Sequence, residues 1–184
     1  MSKDMRFDIL VVGAGPAGLS AALAFARDGF ETGLVGTPDP RPNGRTVALL
    51  DGSVRFFKAL GVGSSLARRA VPLVTMRIID DTVSLSRPPS ACFHAREIGL
   101  DALDWNIENG TLEGLAEVAV TSSRLSLLDA RAESVDLARD HASLRLENGR
   151  RLNTVLIVAA DGRDSRIRKG ARSASASGLI HKRR

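Results

Sequence analysis

Two stretches of the chain are largely apolar. Phe7 to Val12, broken only by Asp8, and Thr154 to Ala160, which opens on a threonine, are rich in aliphatic and β-branched residues, the pattern of parallel strands covered on both faces. After the first run come glycines and then Leu19 to Arg27, a series of strong helix formers that stops at Gly29. A helix is expected there, with Pro16 in its first turn, where a missing N–H costs nothing. Glu31 to Val35 reads as the next strand. Strand, tight turn, helix and strand make a βαβ unit, whose crossover is right-handed almost without exception.

Patterning is weaker beyond that unit. Thr37 to Gly44, TPDPRPNG, is a proline and glycine loop, and a helix is expected from about Val47 to Leu60, stopped by Gly61. Met76 to Ile79 and Thr82 to Leu85 read as two short antiparallel strands, bent at Asp80 and Asp81. Ile98 to Asn109, continued by Thr111 to Val120, reads as a helix broken near Gly110. Leu125 to Asp129, Ser134 to Leu137 and Ser143 to Leu146 read as a meander, with Glu147, Asn148 and Gly149 as a hairpin turn. The second apolar run then delivers Asp161 at its end. The expected class is α/β: a Rossmann-like dinucleotide-binding domain with a parallel sheet and an inserted antiparallel meander.

Composition narrows the choice. With 43% hydrophobic and 26% charged residues over 184 positions, the chain can bury a real core. Its net charge of +5 is misleading, because the last fourteen residues, ARSASASGLIHKRR, carry four basic side chains and no acid. The rest is nearly neutral. It has no tyrosine and no basic stripe interleaved with aromatics, so nucleic acid is not an expected partner. The single cysteine, Cys92, precludes an internal disulfide and is expected as a small buried side chain in a reducing compartment, which points to the cytoplasm. Ile9 to Val12 is too short and too closely followed by glycines for a signal or membrane segment. The serine-rich basic tail from residue 171 is expected to be disordered.

The chemistry begins with VVGAGPAGLS. Gly13, Gly15 and Gly18 have the spacing G-x-G-x-x-G, in which the first allows the tight turn, the second lets backbone approach a pyrophosphate and the third lets the helix pack on the sheet. Ala14, Pro16 and Ala17 complete the loop. The helix N-terminus offers unpaired N–H groups and partial positive charge to an anion. A structural turn is the other reading of such glycines, and the strand before and helix after favour the nucleotide. The acid that usually holds the ribose, about 20 residues on, is replaced by Gly36. Asp39 is the substitute in reach along the chain, and Glu31 lies at the other end of the strand. Elsewhere, His94, His141 and His181 are too scattered for a metal site. No G-x-S-x-G, C-x-x-C or second G-x-G-x-x-G occurs, which leaves nucleophile elbows, disulfide reductases and a separate nicotinamide fold without support.

The stretch VAADGRDSRIRKG, Val158 to Gly170, resembles the D-G-x-x-S-x-x-R signature of the class A flavoprotein monooxygenases, FAD-dependent aromatic hydroxylases related to para-hydroxybenzoate hydroxylase. Asp161, Gly162, Ser165 and Arg168 fill its positions. Three further stretches, DILVVGAGPAGLSAALAFARDGF, GRTVALLDGSVRFFKALGV and REIGLDALDWNIENGTLEGLAEV, are similar to the ubiquinone-biosynthesis hydroxylases of the UbiH type within that family. The resemblance implies an FAD site made from Gly13, Ala14, Gly15, Pro16, Ala17, Gly18, Asp161 and Gly162, with Arg45 reaching the cofactor and Asn106 in a stretch near the flavin. An exposed loop arginine is the other reading of Arg45. Arg163 and Arg168 are placed to hold Asp161 or to meet phosphate.

The same resemblance implies NAD(P)H as co-substrate and the transfer of one oxygen atom from dioxygen to a phenol carrying a polyprenyl tail, with peripheral association at the inner face of the membrane through that lipid. It covers residues 5 to about 170, roughly the first half of a family member, with the start of a substrate-domain insertion expected at about 71–97. The later Gly-Asp and Ala-His flavin-binding stretch has no counterpart in this sequence. A truncated relative without catalysis, purified with little flavin colour, therefore stays open beside the hydroxylase, as does an NAD(P)-binding reductase.

Overall fold

A computed structural model describes residues 5–38, 46–82, 89–108 and 113–174. In chain order the elements are β1 (Met5–Val12), α1 (Pro16–Arg27), β2 (Thr32–Val35), β3 (Thr46–Leu50), α2 (Asp51–Ala59), α3 (Gly63–Arg69), β4 (Val71–Leu73), β5 (Thr75–Ile78), β6 (Ala91–His94), a 3₁₀ turn (Ala95–Ile98), β7 (Asp104–Glu108), α4 (Glu113–Thr121), β8 (Leu125–Leu128), β9 (Ala132–Leu137), β10 (Ala142–Leu146), β11 (Arg151–Ala159) and α5 (Arg166–Ala174). They form two compact units, Met1–Asp39 with Leu115–Arg184, and Pro40–Gly114.

The first unit is built on a six-stranded sheet ordered β8-β2-β1-β11-β10-β9. β8, β2, β1 and β11 are mutually parallel, and β10 and β9 are antiparallel to what precedes them. β1 sits between two parallel partners, so Leu10 and Val11 are fully buried. That is what a largely apolar run requires. α1 starts at Pro16 and buries Leu19, Ala22, Leu23 and Ala26. Ile167 of α5 joins Phe7, Leu10, Val12, Val35, Leu144, Leu146 and Leu152 in a single apolar cluster. The turn at Glu147–Gly149 forms as expected, with Gly149 at φ +79° and its N–H donating to Leu146 O.

Several expectations are corrected here. Leu125–Leu128 is no meander strand: it pairs in parallel with β2. β11 is less covered than its composition implies, with Val155 63% and Leu156 47% exposed. α5 continues through Ala174, so the first residues assigned to a disordered tail are helical.

The second unit, 40–114, holds a three-stranded antiparallel sheet, β3-β7-β4, and the separate hairpin β5-β6. Val47 to Leu50 is strand where helix was expected, and the helix begins only at Asp51. A four-residue apolar run carries no period that separates the two. Asp104–Glu108 is likewise a strand, pairing with β3 and β4 on either side, so Asn106 stands on a strand and not on a helix. β5 pairs with Ala91–His94, while Val83 to Leu85 of the expected partner strand lie outside the described residues; the Asx-type contact of Thr82 N with Asp80 Oδ1 marks the bend. Cys92 is exposed on β6, not buried, with its sulfur 3.7 Å from His94 Nε2.

Candidate functional site

The parallel strands of the first unit end together, and the loops that leave them meet. Val12 passes to Gly13, Val35 to Gly36, Leu128 to Asp129 and Ala159 to Ala160. Backbone bonds tie these exits into one rim: Gly13 N donates to Val35 O (2.8 Å), Gly36 N to Leu128 O (3.0 Å) and Ala160 N to Val12 O (2.7 Å). In an open parallel sheet, ligands bind outside this carboxyl edge.

The three glycines have separate jobs. Gly13 adopts φ +108°, and a Cβ there would lie 2.3 Å from Ala160 O and 2.7 Å from Asp161 N. The early glycine bend thus packs directly against the late aspartate. At Gly18 a Cβ would lie 1.7 Å from Gly13 O, so helix and loop touch backbone to backbone. Gly15 differs, since a Cβ there would meet nothing within 4 Å. Its surroundings are open on the side a ligand would use. Gly15 caps α1 without any side-chain hydrogen bond, and the first turn contains no acid. Pro16 has no N–H, so Ala17 and Gly18 present theirs at the positive end of the helix.

Asp161 is held by the helix that follows it. Its Oδ2 accepts from Arg166 N (3.0 Å) and Ile167 N (3.5 Å), while Oδ1 is buried and has no partner. A buried carboxylate oxygen left unpaired is costly unless something outside the chain donates to it. Gly162, at φ +91°, makes the turn. Ser165, 1% exposed, caps α5 by accepting from Arg168 N at 2.9 Å. Arg168 Nη2 donates to the Arg163 carbonyl. The signature therefore closes on itself: backbone N–H groups hold Asp161, and its arginines do not.

A cavity of about 210 Å³ is lined by Val12, Gly13, Gly36, Arg131, Glu147, Asp161 and Arg166, among others. The structure thus brings Gly13 and Asp161 to one cavity. Arg131, Glu147 and Arg166 were not foreseen, since single charges in a loop, a turn and the start of a helix carry no sequence signal. Arg45 and Asp39 lie outside the described residues. Glu31 is at the far end of β2, where its Oε1 meets Arg124 Nη1 at 2.6 Å. His94 lies in the second unit, where its Nδ1 and Thr75 Oγ1 are hydrogen-bonded at 3.0 Å.

An adenine dinucleotide fits what is present: open space at Gly15, an uncapped helix N-terminus and an orphaned acceptor on Asp161. The ubiquinone hydroxylase UbiM of Neisseria meningitidis is 31% identical over 174 residues, covering 90% of this chain and 38% of the relative. The 3-demethoxyubiquinol 3-hydroxylase of Escherichia coli is 26% identical, covering 89% and 43%. The chain spans about two fifths of the length of these curated relatives. Among solved structures, the flavin-dependent monooxygenase PieE, in complex with FAD and substrate, superposes with a TM-score of 0.68 at 24% identity, covering 89% of this chain and 31% of that one. The p-nitrophenol 4-monooxygenase PnpA of Pseudomonas putida gives 0.69 at 19%, covering 91% and 44%. Both share the fold. The profile described as FAD binding domain matches residues 6–178, and the chain belongs to that family, whose cofactor is FAD.

Proposed function

We propose that this chain is the FAD-holding part of an FAD-dependent aromatic hydroxylase of the ubiquinone-biosynthesis type, which uses NAD(P)H and dioxygen on a phenolic ring bearing a polyprenyl tail. One observation carries the reading: Gly13 and Asp161 abut at the carboxyl edge of the parallel sheet, around a cavity where Asp161 Oδ1 lacks a partner. The names of the similar ubiquinone hydroxylases support the substrate class.

FAD, when bound, supplies the redox chemistry that moves one oxygen atom from dioxygen to the ring. The chain's own residues bind and orient. The Ala17 and Gly18 N–H groups at the start of α1 would hold the pyrophosphate, and Gly15 would leave room for its approach. Asp161, with its unpartnered Oδ1 and the turn at Gly162, would hold a hydroxyl of the cofactor, and Arg131 and Arg166 on the same cavity would offset negative charge. Arg45, by resemblance, would add a contact to the cofactor. We place the start of the substrate-domain insertion at about 71–97, which takes in the β5-β6 hairpin. The lipid tail of the substrate would bring the protein to the inner face of the membrane; no helix among the described residues is long and apolar enough to cross one.

Titration of the 184-residue chain with FAD, FMN, NADH and ADP, followed by flavin and nicotinamide fluorescence, tests this. FAD and ADP should saturate and compete, and FMN, which lacks adenine, should not bind. NADH binding more tightly than FAD would overturn the reading in favour of a nicotinamide reductase.

A further inference from the structure

The FAD reading leaves one part of the cofactor unserved. The acid that ordinarily ends the second strand and takes the ribose hydroxyls is Gly36 here, at φ +141°. A side chain at this position would be strained, and its Cβ would come within 3.0 Å of Ala14 N. The glycine loop itself occupies the space an acid would need. The ribose carboxylate must therefore come from elsewhere.

We infer that Asp129, steadied by Thr37, holds the adenosine ribose in place of that acid. This rests on the FAD reading and adds a residue to it. β8 runs parallel to β2 with Val35 opposite Leu128, so Asp129 leaves its strand at the level where Gly36 leaves the neighbouring one. Gly36 N donates to Leu128 O, and Thr37 Oγ1 donates to Asp129 Oδ1, which fixes the carboxylate beside the glycine. Both side chains are exposed. An ionised carboxylate has about four acceptor positions on two oxygens, and Thr37 uses one, leaving enough for two neighbouring hydroxyls. The cavity that contains Gly13 is lined by Gly36 on one side of this pair and by Ala130 and Arg131 on the other. The carboxylates that line that cavity follow other strands: Glu147, after β10, faces Arg166 at 4.0 Å, and Asp161, after β11, is anchored through Oδ2 to the first turn of α5. The acid has moved one strand across the sheet.

Calorimetric titration with ADP and with 2′,3′-dideoxy-ADP separates the outcomes. In the unaltered chain ADP should bind more tightly than the dideoxy compound. Asp129→Asn should weaken ADP by about ten- to a hundredfold, the range for losing a charge-assisted hydrogen bond, and leave dideoxy-ADP unchanged. Thr37→Val should weaken ADP severalfold. Far-UV circular dichroism of both variants should match the parent, because neither position is buried. Equal binding of the two nucleotides by the parent, or a loss that follows Asp39→Asn in place of Asp129→Asn, would overturn this inference alone. Failure of the parent to bind ADP would overturn the dinucleotide reading with it.

Discussion

The strand Met5–Val12 and the hairpin of Thr75–Ile78 with Ala91–His94 are both short β segments containing large apolar side chains. In the first, Leu10 and Val11 are fully buried between parallel neighbours and under helices; in the second, all four residues of β5 are exposed, Ile78 at 54%, and Phe93 of β6 is 45% exposed. A lone two-stranded ribbon has no second layer to cover it, and such pairs are marginal in water. The difference teaches that apolar content by itself does not place a strand in the core. The number of strands on either side and the presence of a covering layer do.

Mutations can break this contrast. The largest effect is expected from Leu10→Ala, which removes a fully buried side chain from the central cluster and should cost about 2–5 kcal/mol in urea unfolding. The equivalent truncation in the hairpin, Met76→Ala, should change the midpoint by less than about 1 kcal/mol. Equal losses would show that the hairpin is covered after all.

Next come the glycines. Gly18→Ala should cost about 1–3 kcal/mol, because its Cβ meets Gly13 O with no flexible side chain to yield. Gly15→Ala should leave stability within about 0.5 kcal/mol yet lose ADP binding, since the new methyl enters only ligand space. A smaller effect, about 1 kcal/mol, is expected for Ser165→Ala, which removes the cap of α5. A larger loss there would mean that the cap also secures Asp161.

The turns that build the candidate site were more legible than the second unit. Gly13, Gly15, Gly18, Asp161 and Gly162 could be placed because each belongs to a turn whose backbone demands are local: a positive φ, a close approach, an N–H to be capped. Strands β3 and β7 were read as helix because Val47 to Leu50 and Asp104 to Glu108 show no decisive period. Asp129 had no signal, for its meaning arises only from standing beside Gly36, more than 90 positions away in the chain.

The sequence by itself determined the start of α1 at Pro16, the hairpin at Gly149 and the crook at Gly13, since the dihedrals that form them lie within a few residues. Only the tertiary structure decided that Leu125–Leu128 docks in parallel beside β2, that Asp104–Glu108 is a central strand, and that a carboxylate stands next to Gly36. Strand pairing takes its hydrogen bonds from distant chain, so a segment's own residues state that it can be a strand and leave its neighbour to the packing of the whole.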